Sequence, residues 1–197
     1  MARKQGCIWS EKFHCFYDSH EGPELSAQAA CSPNHIFYIS SIERKLMLVN
    51  HASSTVLATY VNPGLMEISW APNSNAFSIN VSDGGGVGSW GVDYYTVDGN
   101  GLPQKHDVTI QVSKASEKLA KCDEQEEPNI AMLSWLNNGQ GALMVAEVPP
   151  HSSCSNMGAL QGYRVNLSGG EILEVLSESE LRQKWGRVLG DRIKRIP

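Results

Sequence analysis

His151 and Cys154 stand three residues apart in the string Pro149-Pro150-His151-Ser152-Ser153-Cys154. A thiol next to an imidazole is the pairing of a cysteine nucleophile with its general base. No third, orienting residue can be named from the sequence. The competing use of Cys154 is a disulfide to Cys122, which also sits in loop-like chain (Lys121-Cys122-Asp123-Glu124). Such a bridge would stabilise by about 3–4 kcal/mol for a loop of this length. The sequence favours the bridge over the nucleophile. Cys7, Cys15, Cys31, Cys122 and Cys154 are too widely spaced for the Cys-x-x-Cys pairs of a zinc site. Their number is odd, so one thiol at least stays unbridged, and the pairing of Cys7, Cys15 and Cys31 is open.

The remaining chemical patterns are weaker. The six histidines (His14, His20, His35, His51, His106, His151) show no H-E-x-x-H or H-x-H spacing. Gly86-Val87-Gly88-Ser89-Trp90-Gly91 fits G-x-G-x-x-G. That motif holds a dinucleotide only where it opens a helix, and here a tyrosine-rich strand follows. Asp98-Gly99-Asn100-Gly101 resembles half of a calcium loop but lacks the later bidentate glutamate. No G-x-S-x-G or S-x-x-K string supports a serine hydrolase. The sequence therefore calls for no metal and no cofactor, and a non-enzymatic role is the expectation. Two loops are candidates for contact with another protein. One runs from Asp83 to Trp90 and would present an acid and a rigid aromatic anchor. The other runs from Pro149 to Met157 and includes His151. The acidic run Asp123, Glu124, Glu126 and Glu127 is a solvated loop or an attractor of basic partners.

These loops need a frame, and the hydrophobic spacing supplies it. Short apolar runs at 36–39, 46–49, 55–61, 66–70, 76–82, 91–97, 130–136, 142–148, 162–167 and 171–176 are separated by turn residues, which predicts strands. Ala76 to Ser82 alternates strictly, with Phe77, Ile79 and Val81 opposite Ser78, Asn80 and Ser82, so one buried face is expected. Val108, Ile110 and Val112 alternate too. The polar stretch 113–129 reads as a loop or a short surface helix around 117–121. Ser177-Glu178-Ser179-Glu180 is a capping box. Leu181, Trp185, Val188, Leu189 and Ile193 then predict one face of an amphipathic helix docked on the sheets.

Composition agrees with a β-rich chain. The 197 residues carry 18 glycines and 9 prolines, only 19% charge and a net charge of −5. The acidity excludes a general nucleic-acid binder, and no run of 18 apolar residues provides a membrane span. A Cys122–Cys154 bridge implies an oxidising home, periplasmic or secreted, with a leader removed. Reduced thiols in the cytoplasm are the alternative.

Three segments share one layout: Cys31 to Ile39, Trp70 to Ile79 and Trp135 to Met144 each pass from a turn into an apolar strand. The turn asparagines 34, 73 and 138 are 39 and 65 positions apart, one propeller-blade length and one blade plus about 25 residues. The Trp-x-Pro-Asn-Ser pattern and the strand after it resemble the blade repeat of TolB-type and WD-type β-propellers. The strings Ser82-Asp83-Gly84-Gly85, Pro128-Asn129-Ile130-Ala131 and Ala146 to Cys154 resemble an uncharacterised family of bacterial exported proteins over roughly residues 60–190. That family supplies no catalytic residues. The Trp-Asp ending of WD repeats is absent, and three blades are fewer than a closed ring, so the stack stays open or closes by pairing with a second copy. The resulting expectation is an all-β, propeller-like set of about three antiparallel meanders over residues 31–176, with an N-terminal arm (1–30) and a C-terminal helix (177–197). The expected function is an exported protein-binding module, an inhibitor or immunity protein for a secreted toxin or enzyme, that acts by loop insertion. The alternatives are a hydrolase built on His151 and Cys154 or a carboxylate pair, and a glycan or small-molecule sensor.

Overall fold

The computed structural model describes residues 7–17, 29–42, 45–61, 65–83, 89–122 and 126–194. Among them the chain forms three antiparallel sheets. The first is a meander of β2 (Ala29–Cys31), β3 (Phe37–Ile42), β4 (Lys45–Asn50) and β5 (Val56–Val61). The second runs β6 (Leu65–Trp70), β7 (Ala76–Ser82), β8 (Trp90–Val97) and β9 (Pro103–His106), and β1 (His14–Tyr17) adds to the free edge of β6. The third is β10 (Asn129–Leu136), β11 (Gly141–Glu147), β12 (Leu160–Asn166) and β13 (Glu171–Ser177). The fold is all-β and propeller-like, and the sheets do not close into a barrel.

The three repeated segments are the first hairpin of each sheet. In the first two, equivalent atoms make equivalent bonds. Ser32 N donates to Phe37 O at 2.8 Å, and Ala71 N to Ala76 O at 2.9 Å. Asn34 Oδ1 accepts from Ile36 N and Asn73 Oδ1 from Asn75 N, both at 3.1 Å. The residue after each asparagine takes a positive φ, 58° at His35 and 63° at Ser74. An asparagine whose side chain closes the turn is the local reason these positions repeat. The turns also meet: Asn34 N donates to Ser74 Oγ at 3.0 Å, and Gly139 lies so close to Asn73 that an added Cβ would sit 2.9 Å from its Nδ2. All three turns thus share one rim of the molecule.

Packing follows the same order. Ile39, Leu46 and Leu48 of the first sheet meet Met66, Ile68, Phe77 and Ile79 of the second. On the other side of the second sheet, Ala76, Val92 and Tyr94 meet Met132, Met144 and Tyr163 of the third. The second sheet is therefore buried on both faces, and this corrects the expectation of one buried face for β7. Ser78, Asn80 and Ser82 are all buried. Asn80 has a specific task there. Its amide accepts from Met132 N at 2.8 Å and donates to Met132 O at 2.9 Å, which occupies the open edge of β10 beside its register shift between Met132 and Ser134.

Two further expectations are corrected. Residues around Val108, Ile110 and Val112 are not a strand: α1 (Ile110–Ser116) begins there, with Val108 and Val112 buried and Ile110 exposed. Spacing of four, not two, is the one the packing uses. The C-terminal amphipathic pattern is not one continuous helix. α2 (Glu178–Trp185) carries the expected capping box on Ser177 and Glu180, and α3 (Asp191–Lys194) follows after a break. In the break, Gly190 N donates to Trp9 O at 2.7 Å, and Glu11 N donates to Val188 O at 3.0 Å. The two ends of the chain thus pair with each other, and together they cover the outer face of the third sheet through Trp9, Leu181, Leu189 and Ile193.

Candidate functional site

The Pro149–Gly158 loop joins β11 to β12, and its geometry is closely determined. Val148 N donates to Ala159 O and Gly158 N to Val148 O, both at 2.9 Å, which closes the neck. Ser152 Oγ donates to Pro149 O at 2.6 Å and shapes the tip. Cys154 is bonded to Cys122. Around that bridge Asn156 Oδ1 accepts from Lys121 N at 2.8 Å, Asn156 Nδ2 donates to Leu119 O at 2.8 Å, and Ser155 N donates to Lys121 O at 2.9 Å. Gly158 takes φ +77°, a value that glycine alone adopts cheaply. From this braced loop His151 projects into solvent and Met157 is 52% exposed, while Pro149 is half-buried.

The other candidate loop differs. Asp83 is exposed at its start, where its N–H donates to Ser89 O at 3.1 Å. Trp90 does not point outward. It is 5% exposed, its ring meets Trp9 edge-on at 5.8 Å, and the backbone N–H of Trp90 donates to Asn129 Oδ1 at 3.0 Å. The sequence reading of Trp90 as a surface anchor is corrected by this packing: the ring fills the space under the paired chain ends. Gly86, Val87 and Gly88 lie outside the described residues, as do Asp123 and Glu124.

The chemistry left to each residue follows. Cys154 is spent in its bridge, so it is not the thiolate partner of His151. Cys7 bonds Cys15, and Cys31 is free and exposed. Among the described residues no three His, Cys, Asp or Glu side chains converge as metal ligands. Two buried carboxylates that the sequence reading missed bind the chain ends instead. Glu67 accepts from Trp9 N at 2.8 Å and from Asn80 Nδ2 at 3.3 Å, and burial pushes its carboxyl up to about 7 against those hydrogen bonds. Glu147 holds Arg192 through two oxygens, at 2.6 Å and 2.9 Å, and Arg192 lies 4.9 Å above the Trp9 ring. Both acids occupy strand positions, where an alternating pattern gives no sign that the polar face is covered.

The sequence reading also missed a cleft of about 540 Å³ between the second and third sheets, lined by Tyr94, Thr96, His106, Gln140, Asn166, Leu167 and Ser168. Tyr94 faces His106 across β8 and β9, and Thr96 Oγ1 lies 2.7 Å from His106 Nε2. Leu167 N donates to Gln140 O at 3.0 Å, tying the two opposite turns together. These residues span positions 94 to 168 and follow no motif, so only the sheet stacking assembles them.

No protein-family model matches the chain, and no curated protein matches it. Among solved structures it is similar to Saccharomyces cerevisiae Sqt1, at 10% identity over 79% of this chain and 37% of that one, with a TM-score of 0.44. It is similar to the β-propeller domain of Myceliophteria thermophila Cps50 (Swd1), at 7% identity over 85% of this chain and 44% of that one, with a TM-score of 0.46. Kuenenia stuttgartiensis hydrazine synthase follows at 8% identity, covering 81% of this chain and 51% of that one, with a TM-score of 0.34. The chain thus spans about half the length, or less, of the structures it resembles.

Proposed function

We propose that this protein is a non-enzymatic binding module that engages another protein through its Pro149–Gly158 loop. The single observation behind this reading is a loop that is fixed at both ends and at its middle yet leaves Met157 exposed. A segment already held in one shape loses little conformational entropy on binding, which is the way inhibitory loops gain affinity. The loop from Pro149 to Met157 carries no Asp, Glu, Lys or Arg, so its partner offers an apolar pocket for the thioether and hydrogen-bonding groups for His151. In the finer form of the reading, the partner is a secreted toxin or enzyme and this chain is its inhibitor or immunity protein. Two disulfides fit an oxidising, extracytoplasmic compartment.

The test is capture on immobilised protein, with Met157→Asp/His151→Ala beside the wild type. Burying a charge in an apolar pocket weakens binding by about tenfold or more, so the partner held by the wild type is lost. A partner retained equally by both proteins overturns the assignment to this loop.

A further inference from the structure

We infer that the cleft between the second and third sheets binds a neutral mono- or disaccharide. It is separate from the Pro149–Gly158 loop and does not rest on the protein-binding reading.

The lining chemistry selects the ligand. None of the seven lining residues is Lys, Arg, Asp or Glu. A phosphate, carboxylate or amine entering here would leave water without meeting a lysine, arginine, aspartate or glutamate to pair with, which is costly. What the cleft offers is uncharged hydrogen bonding that is not yet used. Among the described residues, the Tyr94 hydroxyl, the Gln140 side-chain amide and Asn166 Nδ2 have no partner. Asn166 Oδ1 accepts from Ser168 N at 3.1 Å and from Ser168 Oγ at 3.0 Å, which aims the rest of that amide. Thr96 fixes one ring nitrogen of His106 and leaves the other. Amides, hydroxyls and an imidazole nitrogen each pair with hydroxyl groups, and the hydroxyls around a sugar ring both donate and accept.

A sugar also has apolar C–H faces. Tyr94 and Leu167, each 6% exposed, supply apolar surface to the same cleft. Burial raises the Tyr94 phenol above its ordinary value, so it stays protonated as a donor at neutral pH. The walls are braced before any ligand arrives. The Tyr94 ring rests against His106 at 5.7 Å and Trp135 at 6.1 Å, and Gly170 N donates to Asn166 O at 2.8 Å to hold the far turn. The volume falls in the range of small-molecule sites, roughly 300–1,000 Å³. A neutral amine-free polyol ring is the class that uses all these features together.

The experiment is a two-dimensional amide NMR titration of the full chain with glucose, galactose, N-acetylglucosamine and maltose, and with glucose 6-phosphate as the charged control. The expected result is that at least one neutral sugar shifts the amides of Thr96, His106, Gln140, Leu167 and Ser168, with a Kd of about 10 mM or tighter. Gln140→Ala and Tyr94→Phe, which break no bond within the protein, should each weaken that binding about fivefold or more, because each removes one hydrogen bond to the ligand. Their otherwise unchanged spectra report that the fold is intact. The inference is overturned if none of the neutral sugars moves those amides at about 50 mM. It is equally overturned if binding survives unchanged in the Gln140→Ala/Tyr94→Phe double variant, or if glucose 6-phosphate binds more tightly than glucose.

Discussion

At the residue scale, the buried acids carry more information than the exposed ones. Glu67 sits in Met66-Glu67-Ile68-Ser69-Trp70, where alternation places it on a polar face. In a two-layer protein that face would be wet. Here it is covered, and the carboxyl is matched by N–H donors rather than by a cation. Its pKa of about 7 in the folded protein lies above its ordinary value, so the folded state binds this proton more tightly than the unfolded state does. The resulting stability is fully present below the unfolded value and is lost as pH rises to about 7. We expect the wild type to lose about 3 kcal/mol of this contribution between roughly pH 4.5 and 7. Glu67→Gln should flatten that slope, which urea denaturation at pH 5 and pH 8 will measure. An unchanged slope would place the titrating group elsewhere.

At the scale of elements, local signals were reliable wherever the chain makes its own bonds. The Ser177 capping box was readable because it needs only four residues. Ser177 N donates to Glu180 Oε2 at 2.9 Å, and Glu180 N donates back to Ser177 Oγ at 3.4 Å. Ser177→Ala should cost about 1 kcal/mol in denaturant titrations, with m unchanged. Signals failed where a neighbour arbitrates. Val108, Ile110 and Val112 satisfy a period of two as text. The packing buries only Val108 and Val112, so the helix prevails. The C-terminal helix breaks for a similar reason: Gly190 must come within bonding distance of the opposite chain end, and a continuous helix could not offer its backbone there.

At the scale of the molecule, the paired ends hold the stack together. Glu67 fixes the segment before β1, Glu147 fixes α3 through Arg192, and the two segments bond to each other. An added Cβ at Gly190 would lie 2.5 Å from Cys7 O, Ile8 O and a Trp9 carbonyl carbon. That is backbone, which cannot step aside. Gly190→Ala should therefore lower Tm by roughly 6–12 °C, whereas Gly169→Ala should leave it nearly unchanged. Nothing lies within 4 Å of the Cβ position at Gly169. Equal Tm values for the two variants, read by differential scanning calorimetry, would show that the ends do not brace the fold.

Taken by itself, the sequence determined ten of the strands (β3–β8 and β10–β13), the turn asparagines and the three-sheet repeat, while β1, β2 and β9 carried no such apolar run. Those features depend on contacts within a few residues and on which face of a strand is apolar. Only the tertiary structure decided which surfaces remain outside. It buried Trp90, covered the polar face of β7 and placed Tyr94 beside Asn166 across a cleft, because burial is a property of what packs opposite a residue and not of the residue's neighbours in the chain.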